Sequence, residues 1–348
     1  MIDLNDKSAI SAIDKKNTYG SIAGLAKQCK QAWEEIQAIP FPNEYKNAKN
    51  IVLCGMGGSA YAAYFVKALF NDMLQIPFEL VNGYTLPKYV GKDTLVLLSS
   101  YSGSTEEPLA CAGKALKMGA RITAIANGSK LEEFTKANNL PAYIFTPKYN
   151  PSGQPRLGGG YMIFGHIFLL AKLGLITLSE NDAMSAISYL QDKTLDIEIE
   201  AKRIAPQIME KIPVIVAAEH LSGNAHALRN QLNETGKNFS AYSIIPELNH
   251  HLMEGLVFPK ERILTFLLLQ SSLYSPVIQK RFALTHDVIE KNNIQTINIL
   301  IQGKTKLAQS MFTLSLGAYI TFYLGILYNQ DPSLIPWVDY FKNQLNKK

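Results

Sequence analysis

Short apolar segments alternate with helical patterns along most of the chain. The first half has apolar segments at 50–54, 79–81, 94–98, 121–125 and 142–145, and the second half has them at 213–218, 240–245, 262–269 and 296–301. Buried strands alternating with helices predict βαβ units and parallel sheets. The strand starts at Ile51, Leu95 and Ile122 recur at similar intervals as Val214, Leu264 and Ile297, so the pattern predicts an internally duplicated α/β fold.

This pattern divides the chain into five segments. We expect an N-terminal helical segment at 1–48, a first α/β domain at 49–181, a linking helix at 182–210, a second α/β domain at 211–328 and a C-terminal helical segment at 329–348. The apolar run 311–328 has the length of a membrane span, but Thr, Ser and Gly interrupt it. We therefore expect a helix buried between the sheet and a neighbouring subunit, and no membrane partner.

Composition excludes several classes of protein. The 348 residues suffice for about two domains, and 47% hydrophobic with 18% charged residues exclude a disordered or fibrous chain. The formal charge is +5, from 34 Lys and Arg against 29 Asp and Glu, without basic runs longer than two residues, so we expect no nucleic-acid partner. Cys29, Cys54 and Cys111 form neither a disulfide framework nor a zinc cluster, and they suit the reducing cytoplasm.

A glycine-rich turn follows the first predicted strand and precedes a helical pattern at Tyr61–Phe70. Gly55-Met-Gly57-Gly58-Ser59-Ala60 would let backbone N–H groups approach an anion at the start of the next helix. The turn also satisfies a dinucleotide fingerprint, but that motif needs an acidic residue at the end of the second strand, where this chain has Asn82. A nucleotide loop, a sugar-phosphate loop and a structural turn all remain open from this segment alone.

A serine-rich loop follows the third predicted strand and favours the sugar-phosphate alternative. Ser100-Tyr-Ser102-Gly-Ser104-Thr105 sets four hydroxyls around one glycine at the carboxyl end of a parallel strand, where open α/β sheets bind ligands. Such hydroxyls and N–H groups can coordinate a terminal phosphate, whereas a dinucleotide needs no second loop of this kind. A simple helix-capping turn is the structural alternative for any one of these residues.

The two loops together resemble those of the sugar isomerase (SIS) domain family. Further segments resemble the bifunctional phosphoglucose/phosphomannose isomerases over essentially the whole chain; they are Pro155-Arg156, Asn233-Glu234, 246–250 and 331–342. The resemblance implies two SIS-type domains, sugar-phosphate substrates, no cofactor or metal, and a homodimer with a shared active site. The chain departs from the family pattern at Ser104, His251 and Ser333.

Aldose–ketose isomerisation needs a base, a group that stabilises the enediolate and an acid or base that opens the sugar ring. With the resemblance, we assign Glu234 as the base and Arg156 to the enediolate. We assign His250 to ring opening, where the resemblance implies that it enters the partner's site, and Lys342 to the ring region. Trp337, Val338 and Phe341 lie at helical spacing in the same terminal segment, and we expect them to anchor its helix by an apolar face. The phosphate-binding residues would be Gly57, Gly58, Ser59, Ser100, Ser102 and Thr105.

The sequence thus predicts a phosphohexose isomerase acting on glucose 6-phosphate, fructose 6-phosphate and mannose 6-phosphate. Three alternatives remain: a non-catalytic phosphosugar sensor, an isomerase of another sugar phosphate, and an NAD-dependent oxidoreductase. A metal site at Glu247, His250, His251 and Glu254 would need further ligands, which no other segment of the sequence supplies.

Overall fold

The computed structural model describes residues 2–345 and 347. Three helices precede the first strand of the chain. They are α1 (Lys7–Ile13), α2 (Thr18–Ala23) and α3 (Leu25–Gln37). The expected helical segment at 1–48 thus contains three helices, and α3 buries Leu25, Cys29 and Trp33 at helical spacing.

The first sheet has five parallel strands in the order β2-β1-β3-β4-β5. The strands are β1 (Asn50–Gly55), β2 (Phe78–Val81), β3 (Thr94–Ser99), β4 (Arg121–Ala126) and β5 (Ala142–Ile144), with crossover helices α4 (Tyr61–Phe70), α5 (Glu106–Lys117) and α6 (Ser129–Ala137). The central strands β1 and β3 are almost wholly buried, as expected for a sheet covered on both faces.

Three helices connect the two sheets, and the expected single linking helix at 182–210 is wrong. The helices are α7 (Gly165–Lys172), α8 (Glu180–Asp192) and α9 (Thr194–Ile208), and a short π-helix at Gly160–Phe164 leads into α7. The break between α8 and α9 falls at Lys193, whose amide closes α8 by donating to the Tyr189 carbonyl, 3.0 Å away. Its ammonium binds Asp196 in the first turn of α9, so one residue ends one helix and begins the next.

The second sheet has four parallel strands in the order β7-β6-β8-β9. Its elements are β6 (Ile212–Ala218), α10 (Ser222–Glu234), β7 (Ala241–Ile245), β8 (Leu264–Gln270), α11 (Pro276–Lys291) and β9 (Gln295–Leu300), followed by α12 (Lys306–Leu327) and α13 (Pro336–Leu345). The predicted α/β fold with two parallel sheets is therefore confirmed.

The strand pairings allow the two halves of the chain to be compared residue by residue. Asn50 pairs with Thr94 in the first sheet, and Ile212 pairs with Leu264 in the second. When these first paired residues are aligned, β1 corresponds to β6 at an offset of 162 (50 to 212) and β3 to β8 at an offset of 170 (94 to 264). The order β2-β1-β3-β4 recurs as β7-β6-β8-β9.

The long apolar helix α12 lies inside the chain itself. Every residue from Leu307 to Leu327 is buried, and the helix packs on α8, α9 and α10. It is long and apolar enough to cross a membrane by length and composition, but complete burial is the pattern of a core helix. The expectation that this helix faces a neighbouring subunit is wrong, because the helices of the same chain cover all of it.

Helices α4 and α10 pack against each other in opposite directions, and this packing positions the site. A Cβ atom on Gly223 would lie only 2.9 Å from the Tyr64 backbone, so glycine is needed for the close approach. Further along α10, the ring of His226 lies 5.8 Å from that of Tyr61. This direction places the end of α10, where Glu234 lies, towards the start of α4, and Arg156 contacts both Glu234 and Gly58.

Candidate active site

The glycine-rich turn is fixed from two sides. Gly57 has φ +50°, which glycine adopts readily, and a Cβ on Gly58 would lie 3.3 Å from Cα of Arg156. Ser59 is buried, and its Oγ accepts a hydrogen bond from the Tyr101 amide at 2.9 Å. Asn82 donates to the Gly55 carbonyl at 2.6 Å, so the position where a dinucleotide fold needs an acid instead stabilises the turn.

The serine-rich loop wraps tightly around Gly103. This residue has φ +71°, and a Cβ there would lie 1.8 Å from the Gly128 carbonyl oxygen, which excludes any other residue. Oγ of Ser100 and Oγ1 of Thr105 are 2.7 Å apart, while Ser102 is exposed. Thr105 is the N-cap of α5 but makes no side-chain cap, which leaves the first amides of that helix open to an external anion.

Arg156 is buried beside both loops, with 5% of its surface exposed. Its Nε donates to Thr235 Oγ1 at 3.0 Å, and its Nη1 donates to Gln154 Oε1 at 2.9 Å. Its Nη2 donates to the carbonyls of Pro332 at 2.8 Å and Ser333 at 3.1 Å. Burial lowers the pKa of this guanidinium. A solvated loop arginine is therefore excluded.

Glu234 pairs with this arginine across the two halves of the chain. Its Oε2 lies 3.7 Å from Arg156 Nη1, and 31% of its side chain is exposed against 2% for the arginine. The Glu234 carboxylate is thus accessible to solvent, and the Arg156 guanidinium is buried next to it. Burial and the nearby Glu234 charge raise the pKa of Tyr61 at the start of α4, which remains neutral.

Lys237 belongs to the same cluster, although the sequence analysis did not single it out. Its Nζ donates to the carbonyls of Glu234 and Leu334, each at 2.5 Å. Burial, followed by the charge of Arg156, lowers its pKa to about 8. The available signal was a cation three residues after the assigned base, at the end of the same helix.

Ser333 contributes through its backbone. Its carbonyl binds Arg156, whereas its Oγ has no hydrogen-bond partner among the described residues. The departure from the family pattern at Ser333 therefore leaves the contact with Arg156 in place, because the backbone makes it.

His250 lies away from this cluster within one chain. It is exposed and follows β7 at the carboxyl end of the second sheet, whereas Glu234 lies at the far end of α10. Thirteen residues of helix separate the two ends of α10 by about 18 Å. The neighbouring His251 binds Glu247 at 2.8 Å. Among residues 2–345 and 347, no group of three or more His, Cys, Asp or Glu side chains could hold a metal.

Lys342 is exposed on α13, and the predicted burial of that helix is wrong. We expected Trp337, Val338 and Phe341 to anchor its apolar face, but they are 81%, 40% and 63% exposed. Only the segment just before the helix is held, where Pro332 and Ser333 bind Arg156. In the described part of the chain, α13 buries no residue.

Comparison of the sequence with known proteins identifies its family. Residues 44–140 match the SIS domain, and residues 197–345 match the bacterial phospho-glucose isomerase C-terminal SIS domain. A bifunctional phosphoglucose/phosphomannose isomerase from Caldicellulosiruptor bescii is 30% identical, over 94% of this chain and 98% of that protein. The chain belongs to the bifunctional phosphoglucose/phosphomannose isomerase family.

Other relatives of this family member span a range of named activities. An Aquifex aeolicus protein with the same bifunctional name is 28% identical over 95% of this chain and 99% of its own length. A D-glucosamine-6-phosphate 4-epimerase from Sulfolobus acidocaldarius is 28% identical over 67% of this chain and 72% of its own length. The solved structure of hypothetical protein TT0462 from Thermus thermophilus shares the fold, with a TM-score of 0.74 and 16% identity over 98% of this chain and 94% of that one.

Both family segments contribute to the cluster. The SIS segment holds the glycine-rich turn and the serine-rich loop, and the C-terminal segment holds Glu234, Lys237 and the carbonyls that bind the arginine. Arg156 lies between the two segments. The candidate site therefore takes side chains from both halves of the duplicated fold.

Proposed function

We propose that the chain is an aldose–ketose isomerase that interconverts glucose 6-phosphate and mannose 6-phosphate with fructose 6-phosphate. The observation that carries this proposal is the half-exposed Glu234 carboxylate beside the buried Arg156, next to two loops rich in hydroxyls and free amides. The reaction proceeds through ring opening and an enediolate.

The phosphate group would bind between the two loops. The amides of Gly57 and Gly58, the start of α5 and the hydroxyls of Ser59, Ser100, Ser102 and Thr105 are the proposed ligands. Helix N-termini favour negative charge, and no metal is required for a monoester held in this way. This anchoring leaves the sugar carbons to reach Glu234.

Glu234 would take the proton from C2 of the open-chain aldose and deliver it to C1, with the reverse transfer in the other direction. Arg156 has five N–H groups, of which four donate to Thr235, Gln154, Pro332 and Ser333. The remaining N–H is on Nη1, the nitrogen that lies nearest Glu234. That donor is available to an enediolate oxygen, whose developing charge it would stabilise.

The ring-opening group would come from a second copy of the chain. His250 lies at the other end of the second sheet from Glu234, so one chain does not supply both groups to one site. Helix α13 exposes an aromatic and aliphatic face that includes Trp337, Tyr340, Phe341 and Leu345. We propose a homodimer in which these faces are covered and His250 of the partner subunit completes the site, with Lys342 near the sugar ring.

We further propose that the five segment boundaries expected from the sequence are the domain boundaries. The enzyme would work in the cytoplasm, where its three buried free cysteines stay reduced, and would serve glycolysis and gluconeogenesis.

A coupled assay with purified enzyme tests the proposed activity. Glucose 6-phosphate and mannose 6-phosphate should each yield fructose 6-phosphate without added metal or nucleotide. Glucosamine 6-phosphate is the comparison substrate, because a 4-epimerase would convert it to the galactosamine isomer. Binding of all three without turnover would instead indicate a phosphosugar sensor.

A further inference from the structure

A cavity of about 560 Å³ opens at the carboxyl end of the second sheet. It lies between the end of α4, the turn after β6, the loop after β8 and the start of α12. Its wall includes Lys67, Asp72, Glu219, His220, Ser275 and Lys306. A cavity of this size is in the range of small-molecule sites.

The duplication makes this cavity the counterpart of the proposed active site. At the offset of 162, Gly57 corresponds to Glu219, and both residues have left-handed backbone, with φ +50° and +43°. At the same offset, Glu234 at the end of α10 corresponds to Asp72 just after α4. Asp72 lies 3.8 Å from Lys306, as Glu234 lies 3.7 Å from Arg156.

The serine-rich loop also has its counterpart. At the offset of 170, Thr105 corresponds to Ser275, and these residues are the N-caps of α5 and α11. In the first half the helix N-terminus receives no side-chain cap from Thr105. Ser275 likewise makes no side-chain cap to α11, but it is itself engaged, because Glu219 accepts hydrogen bonds from Ser275 Oγ at 2.6 Å and from Ser275 N at 3.2 and 3.3 Å.

We infer that Glu219 is an internal anion that closes the second phosphate cradle, so each chain binds phosphosugar at only one of its two duplicated sites. This inference rests on the proposed function, which assigns the first cradle to phosphate. The Glu219 carboxylate takes the hydroxyl and the amide of Ser275, whose counterpart in the first cradle is the proposed phosphate ligand Thr105, and its charge repels a second anion. Glu219 also has a left-handed backbone, which non-glycine residues adopt rarely, at the position that corresponds to Gly57 in the first half.

Substitution of Glu219 by glycine tests the inference. The change removes the carboxylate and supplies the residue that suits a left-handed backbone, so the variant should fold. The probe is sorbitol 6-phosphate, which lacks a carbonyl and does not isomerise, and its stoichiometry is measured by equilibrium dialysis. Wild type should bind one equivalent per chain and Glu219→Gly two. Glu219→Gln, which keeps an oxygen against Ser275, is the matched control and should bind one.

Each stoichiometry is informative. Two equivalents in wild type, or one in both wild type and Glu219→Gly, would overturn the role of Glu219. No binding to wild type with one equivalent in Glu219→Gly would support that role and contradict the proposed first cradle. No binding to either protein would contradict both. If Glu219→Gly fails to fold, Glu219→Ala provides the same comparison, and a further Ser275→Ala change should remove the added site.

Discussion

The guanidinium of Arg156 and the carboxylate of Glu234 come from different halves of the chain, yet their Nη1 and Oε2 atoms lie 3.7 Å apart. A third segment holds this pair together, because the carbonyls of Pro332 and Ser333 accept hydrogen bonds from the same guanidinium. The pair is thus a junction between the first sheet, α10 and the chain end, and damage to it should affect stability and turnover together.

Arg156→Lys should lower both activity and thermal stability. Lysine keeps the charge but cannot donate to Thr235, Gln154 and two carbonyls at once, so buried acceptors lose their partners. We expect a loss of at least about 2 kcal/mol in the free energy of unfolding. Denaturant unfolding and steady-state kinetics measure the two effects. Arg203→Lys, on an exposed ion pair with Glu200, is the matched control and should change neither. If Arg156→Lys and Arg203→Lys had the same stability and activity, Arg156 would not hold the three segments together.

Ser102→Ala and Thr105→Ala should weaken binding of every phosphosugar alike. A lost hydrogen bond to a charged group costs about 1.5 to 3 kcal/mol, which corresponds to a roughly 10-fold to 150-fold rise in KM. Kinetics with glucose 6-phosphate and mannose 6-phosphate check this. Ser104→Ala is the control, because the Ser104 hydroxyl bonds Ser129 at 2.6 Å. An unchanged KM in the folded Ser102 and Thr105 variants would remove these residues from the phosphate site.

Lys237 should give kcat/KM a basic limb near pH 8. The folded pKa of about 8 lies below the ordinary 10.5, so the folded state loses this proton first as pH rises. Loss of the charged form weakens the bonds to the Glu234 and Leu334 carbonyls that hold the end of α10. Between pH 8 and 10.5 the unfolded chain binds more protons, so this residue's contribution to the free energy of unfolding rises with pH.

Lys237→Arg should remove the basic limb, because arginine stays charged throughout this range. Lys291→Arg, at an exposed ion pair, provides the control. A limb near pH 8 that persists in Lys237→Arg would assign it to another group.

Chains carrying His250→Ala and chains carrying Glu234→Gln should complement each other. In a shared site, each mixed dimer has one site with an intact Glu234 and an intact partner's His250. Mixed at equal concentrations, the two inactive proteins should regain about a quarter of wild-type activity, because half of the dimers are mixed and half of their sites are intact. Native mass spectrometry verifies subunit exchange. Full exchange without recovered activity would rule out the shared site.

The sheet architecture could be predicted from the sequence because its strands are short, apolar and buried on both faces. Helix Tyr61–Phe70 was predicted with its observed bounds, since the glycine turn marks its start. The two ligand loops follow from the same logic, because parallel strands deliver their carboxyl ends to one edge. The structure places Arg156 and Glu234 3.7 Å apart, and the roles assigned to them from the family resemblance stay predictions.

The remaining features depend on contacts between segments distant in sequence. No local pattern indicates that Pro332 and Ser333 bind Arg156 through their carbonyls, since any residue type can supply a carbonyl. Helix α13 has an amphipathic pattern, but a pattern does not identify what covers its apolar face. The role proposed for Glu219 depends on its correspondence with Gly57, which the shared left-handed backbone indicates and the residue types do not.

Solvent-deuterium incorporation at C2 of glucose 6-phosphate tests the assignment of Glu234 most directly. Wild-type enzyme incubated with fructose 6-phosphate in D₂O should place deuterium at C2 through the enediolate, as read by proton NMR. Glu234→Gln keeps the shape of the side chain but cannot take the proton, so incorporation and turnover should both fall by about 10²-fold to 10⁴-fold while sugar-phosphate binding persists. Near-normal incorporation in folded Glu234→Gln would contradict the account, because another residue would then be the base.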